Sequence, residues 1–113
     1  MRMLIVALAV LLSGSPVAGQ EWVAMTGTEI TSRLTDQTLT YEGANQIFYK
    51  SGRTLYHAGR DSWGYWRVDN DQYCSQWPPG EQWDCYDMDA HTDGKRLRFV
   101  ASDGSSTEGT LDK

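Results

Sequence analysis

The stretch WGYWRVDNDQYCSQWPPGEQWDC, running from Trp63 to Cys85, holds four of the chain's five tryptophans and both of its cysteines. Aromatic and polar residues alternate through much of it, and Pro78-Pro79-Gly80 breaks it in the middle. Alternation with a period of two is the pattern of a strand with one buried face, and a proline-glycine cluster marks a reversal. The segment therefore predicts neighbouring antiparallel strands carrying Cys74 and Cys85. Two cysteines in an exported chain most simply bond to each other. Closing so short a loop contributes about 3 kcal/mol when the geometry is relaxed. A redox pair would need the close C-x-x-C spacing, which is absent. Zinc would need ligand spacing that the cysteines, His57 and His91 do not have.

The N-terminus supplies the reason to expect oxidation. Arg2 precedes an apolar run from Leu4 to Leu12, Ser13-Gly14-Ser15-Pro16 ends it, and Val17-Ala18-Gly19 offers small residues to a signal peptidase. The expected leader is residues 1–19, with cleavage between Gly19 and Gln20. The apolar run is far shorter than the roughly 20 residues that span a bilayer. Residues 20–113 then form a single β-rich domain, periplasmic or secreted, without a membrane span and expected to be a monomer. Its formal charge of −5 becomes one unit more negative once Arg2 leaves. Nucleic acids and anionic membranes both demand a basic footprint, so neither is an expected partner.

One helix is well marked. Thr26-Gly27-Thr28-Glu29 has the form of a capping box, with Met25 and Ile30 placed as a hydrophobic staple. The helix is expected over Gly27 to Thr35, stopping near Asp36. Too short to persist alone, it must dock on something. Turn signals then recur at Glu42-Gly43, Ser51-Gly52, Ala58-Gly59, Asn70-Asp71, Pro79-Gly80, Asp93-Gly94 and Asp103-Gly104. Between them lie eight short runs: Thr38 to Tyr41, Gln46 to Lys50, Arg53 to His57, Gly64 to Asp69, Gln72 to Trp77, Trp83 to Met88, Arg96 to Ala101 and Ser106 to Leu111. So many strands in so few residues must curl, because a flat sheet would leave long edges. The expected fold class is mainly β: a small antiparallel meander closing into a barrel or curled sheet, with one short N-terminal helix and one disulfide.

Met25-Thr26-Gly27-Thr28-Glu29-Ile30, Gly64-Tyr65-Trp66-Arg67-Val68 and Cys74-Ser75-Gln76-Trp77, followed by Cys85, carry a resemblance. The chain resembles a group of small exported alphaproteobacterial proteins of uncharacterised function with an LTGxEI, GxWxV and CxxW pattern. Met25 stands where that group usually has leucine. The resemblance covers nearly all of residues 20–113 and implies a fold and a compartment, with no active site to transfer.

Side chains that might carry chemistry are mostly aromatic. Trp66, Trp77 and Trp83 are expected in the core beside the disulfide, and Trp22 at the barrel mouth. Trp63, out of phase with Trp66, is expected at the surface. Tyr65, Tyr73 and Tyr86 are expected on an outer face, where rings with polar tips suit recognition. These four residues (Trp63, Tyr65, Tyr73 and Tyr86) are the candidate ligand-binding set. Asp87 to Gly94 has the look of a calcium loop, but the sixth and twelfth positions hold Thr92 and Arg98 where an EF-hand needs glycine and glutamate. His57 has no evident partner, and Lys95, Arg96 and Arg98 form a basic stripe. No G-x-S-x-G, H-E-x-x-H or phosphate-binding loop is present. Neither a metal, a cofactor nor a catalytic residue is expected. The leading expectation is a non-enzymatic binding or interaction module acting through an aromatic surface or barrel mouth on an unknown protein or small ligand. One alternative is a protease inhibitor, since bacterial metalloprotease inhibitors are also small exported β-barrels with one disulfide. That reading needs a free arm at Gln20 to Ala24. A small envelope-acting hydrolase is a further alternative.

Overall fold

The computed structural model describes residues 21–112. The expected leader and its cleavage point lie outside the described residues. The elements run β1 (Trp22–Ala24), α1 (Gly27–Leu34), β2 (Gln37–Tyr41), β3 (Ala44–Phe48), β4 (Arg53–His57), β5 (Asp61–Asp69), β6 (Gln72–Gln76), β7 (Asp84–His91), β8 (Arg96–Val100) and β9 (Ser106–Leu111). Strands β2 to β9 pair antiparallel in chain order, and β9 returns to β2, closing an eight-stranded barrel. The seam is short: only Leu39 with Leu111 and Thr40 with Thr110 pair across it. Strand β1 lies outside the barrel proper, antiparallel to the C-terminal part of β7. The expected meander, helix and Cys74–Cys85 bond are all present.

The helix begins as the sequence dictates. Thr26 Oγ1 accepts from the Glu29 amide, and the Glu29 carboxylate accepts from the Thr26 amide. Helix α1 buries Ile30 and Leu34 completely, together with Leu39, Phe48, Met88 and Leu97. Its ends are tied to the turns at one end of the barrel. Asp71, in the β5–β6 turn, accepts from the Gly27 amide at 2.8 Å, where a carboxylate also meets the positive end of the helix dipole. Arg33 donates to the Gly94 carbonyl in the β7–β8 turn at 2.9 Å. Asp36 leaves the helix at φ 59°, a region that aspartate tolerates, and its carboxylate accepts from the Lys50 amide in the β3–β4 connection. Gly27 is required for this docking, because a Cβ there would collide with the Asn70 carbonyl oxygen.

One end of the barrel is therefore plugged by α1 and filled with buried apolar side chains, Phe48 and Trp66 among them. The other end is bounded by the β2–β3, β4–β5, β6–β7 and β8–β9 connections, and among the described residues no helix covers it.

Candidate functional site

The uncovered end opens into a cavity of about 1320 Å³. An eight-stranded barrel is just wide enough either to fill with side chains or to hold one small ligand. Here it does the first at the helix end and leaves room at the mouth. Inward positions of five strands build the walls: Tyr41 from β2, Gln46 from β3, Tyr56 from β4, Tyr73 and Ser75 from β6, and Tyr86 from β7, with Trp77 just beyond β6.

A hydrogen-bonded cluster forms the floor. The Tyr41 hydroxyl donates to Gln46 Oε1 at 2.7 Å, and Gln46 Nε2 donates to Thr54 Oγ1 at 2.9 Å and to the Tyr73 hydroxyl at 3.4 Å. The Thr54 hydroxyl donates onward to the Ile47 carbonyl. Gln46 and Thr54 are buried, so these bonds offset what burying their polar atoms costs. Burial pushes the Tyr73 phenol up to about 12, and burial with the neighbouring phenols of Tyr73 and Tyr56 raises Tyr41 further. Both therefore stay protonated across the physiological range, as hydrogen-bonding groups and not as acids or bases.

Above the floor, rings line the wall. Tyr56 lies 6.3 Å from Trp77, edge to face, and 6.2 Å from Tyr41. Phe99 lies 6.3 Å from Tyr41 and 4.9 Å from Tyr73. Trp77 folds back over Gly64 of β5, and its indole N–H donates to Ser75 Oγ at 3.2 Å.

The four residues expected at a ligand surface divide into two pairs. Trp63 and Tyr65 are on the outer wall and remain 46% and 42% exposed. Trp63 borders the cavity, but its ring stacks on Tyr49 and takes the Arg53 guanidinium on its face at 4.6 Å. Tyr73 and Tyr86 are not on an outer face. They point into the barrel, paired across β6 and β7, with Tyr73 in the core and Tyr86 packed against it. The disulfide explains the reversal. It bridges directly opposed residues on the outside of β6 and β7, so Tyr73 and Ser75, one position either side of Cys74, turn inward. Cys74 is nevertheless fully buried, and Arg67, opposite it on β5, stacks on Trp83 at 4.1 Å.

Other expectations also shift. Trp22 is not at the mouth. It pairs with His91 near the plugged end and carries Arg98 on its face at 4.4 Å. Residues 22–24 are hydrogen-bonded into the sheet and the Thr92 amide donates to the Glu21 carbonyl, so this segment is not the free arm an inhibitor would need. Two of the three cations of the basic stripe are paired: Arg98 meets Asp89 at 2.8 Å and Arg96 meets Asp93 at 2.9 Å. His57 does have a partner, Asp61 at 2.7 Å, with both side chains about half exposed outside the cavity. Among the described residues, no three His, Cys, Asp or Glu side chains come together as a metal site. No described helix is long and apolar enough to cross a membrane.

Alternation could have found Tyr41, Gln46 and Tyr56, which share a parity with Leu39, Phe48 and Thr54. What it could not supply was the depth of each residue along the barrel. Compared with known proteins, the chain matches no family model, no curated protein and no solved structure.

Proposed function

We propose that this chain is a non-enzymatic, exported binding module whose open barrel end takes a small ligand with a flat or apolar face. The observation that carries the reading is the division of the lumen. One half is packed with buried apolar side chains, and the other is an open chamber whose wall combines aromatic rings with the polar residues 106–110 of β9 over a hydrogen-bonded floor. Pockets with mostly aromatic walls and a few converging polar groups are the common form of small-molecule sites. The disulfide supports placement in an oxidising compartment, periplasmic or extracellular. A binding rather than catalytic role is supported by the chemistry of the floor, where the buried Tyr41 and Tyr73 phenols are held neutral.

The test is a titration of the oxidised protein with small aromatic compounds and saccharides of positive, zero and negative charge. Tryptophan fluorescence and the indole N–H resonances give the readout. Binding in the mouth moves the Trp77 signal and is weakened by Tyr56→Leu, while Tyr65→Ser, on the outer wall and not bordering the cavity, leaves it intact. The opposite pattern would favour a second reading, in which exposed Trp63 and Tyr65 form a contact surface on the outer wall. Response of neither indole to any probe would sink both.

A further inference from the structure

Three of the five tryptophans already hold a cation on a ring face. Arg53 covers Trp63, Arg67 covers Trp83 and Arg98 covers Trp22, and all three indoles belong to the outer wall. Trp66 is buried in the core, with its N–H donating to the Tyr49 carbonyl. Trp77 differs from all of these: it is half-buried, it faces the chamber, and no arginine or lysine covers it among the described residues. Its neighbours Tyr56 and Tyr41 are in the same condition.

These three rings form a corner. The Tyr56 plane is turned 76° from Trp77 and 44° from Tyr41, with centroids 6.3 and 6.2 Å away. A cation is attracted to a ring face within about 6 Å of its centroid, a reach comparable to the spacing of these three rings. The charges around the opening favour the same sign. Among the described residues bordering the cavity there is no lysine, arginine or histidine, while Glu42 and Glu108 both border it. Glu108 is shared with Arg96 at 3.8 Å, which leaves Glu42 as the bordering carboxylate without a salt bridge among the described residues. The mouth loops add Glu81 and Asp103 against a single Arg60. An anionic ligand would enter this chamber beside Glu42 and Glu108 with no lysine, arginine or histidine bordering it among the described residues.

We propose that the mouth binds an organic cation, with a quaternary ammonium group seated among Tyr41, Tyr56 and Trp77 and Glu42 at its rim. The inference rests on the mouth reading above and narrows it to a ligand class. A quaternary ammonium suits the corner better than a primary amine, because it brings no N–H donors that need acceptors there.

Choline and its neutral isostere 3,3-dimethylbutan-1-ol separate this claim from the broader one. Each is titrated into the oxidised protein while the Trp77 indole N–H resonance is followed. Choline should bind at least about tenfold more tightly than the alcohol. Glu42→Gln should weaken choline about threefold and leave the alcohol unchanged. Tyr56→Leu, at a half-buried position outside the core, should remove the preference for choline. Equal affinity for the two probes, or a preference for the alcohol, would overturn the cation assignment and leave the mouth reading standing. So would a Trp77 signal that answers phenol or a neutral sugar but not choline. If no probe of any charge moves Trp77, the mouth reading falls with it.

Discussion

Gly64 shows how one residue shapes the chamber. It faces inward on β5, where a Cβ would stand 2.6 Å from the Trp77 ring and 2.7 Å from the Gln76 carbonyl oxygen. The ring has room to shift, but the β6 backbone has little. Gly64→Ala should therefore destabilise the protein by about 1–3 kcal/mol and change the tryptophan emission, both measured in urea unfolding. Gly109 does the same for Tyr41 on the opposite side, where a Cβ would lie 2.6 Å from Leu39 and 3.0 Å from the Tyr41 ring. The phenols give a second residue-scale expectation. An unfolded tyrosine loses its proton near pH 10, whereas Tyr73 keeps its proton to about 12 and Tyr41 beyond that. A raised folded value stabilises the fold fully below pH 10, and that contribution is lost as pH climbs toward 12. Absorbance titration should show two tyrosines resisting ionisation until the protein unfolds, with stability falling steeply above pH 10. Ordinary titration of all six would contradict the buried network.

At the scale of elements, most of the chain was legible because its signals are local. The Thr26 to Glu29 capping box depends on residues three apart, and it starts α1 at Gly27 as expected. Thr26→Ala should cost about 1 kcal/mol in chemical denaturation, with no change in the barrel's β signal by circular dichroism. Strands β4 and β9 have the expected bounds, and other strands differ by a few residues at their ends. Strand β7 runs on to His91 because β1 and β8 pair with its C-terminal half. Strand β1 carries no sequence signal of its own: three residues give no period to count, and its pairing depends on a partner far along the chain. Tyr73 and Tyr86 face inward, against expectation, for a related reason. Parity along a strand can be read from sequence, but which parity is inward depends on whether the cystine lies inside or outside the wall.

The whole molecule couples stability to the mouth. The Cys74–Cys85 bond joins β6 and β7, the strands that carry Tyr73, Ser75 and Tyr86 into the chamber. Replacing both cysteines with serine should lower unfolding free energy by about 3 kcal/mol and weaken binding at the mouth more than it disturbs the plugged end. Hydrogen exchange would report the difference: amides of β6 and β7 should lose protection before those of α1. Uniform loss of protection would mean that the barrel opens as one unit. The seam between β2 and β9, held by two residue pairs, is the other place where closure is thin.

Turn chemistry, two-residue alternation and a capping box act over a few neighbours, so the chain alone determined a β meander with one helix and one cystine. Tertiary closure decided the rest. It set which end α1 would plug, turned Tyr73 and Tyr86 inward, and brought Tyr41, Tyr56 and Trp77 together. Those outcomes depend on how strands distant in sequence register around a ring, where each side chain's depth is fixed only once the last strand meets the first.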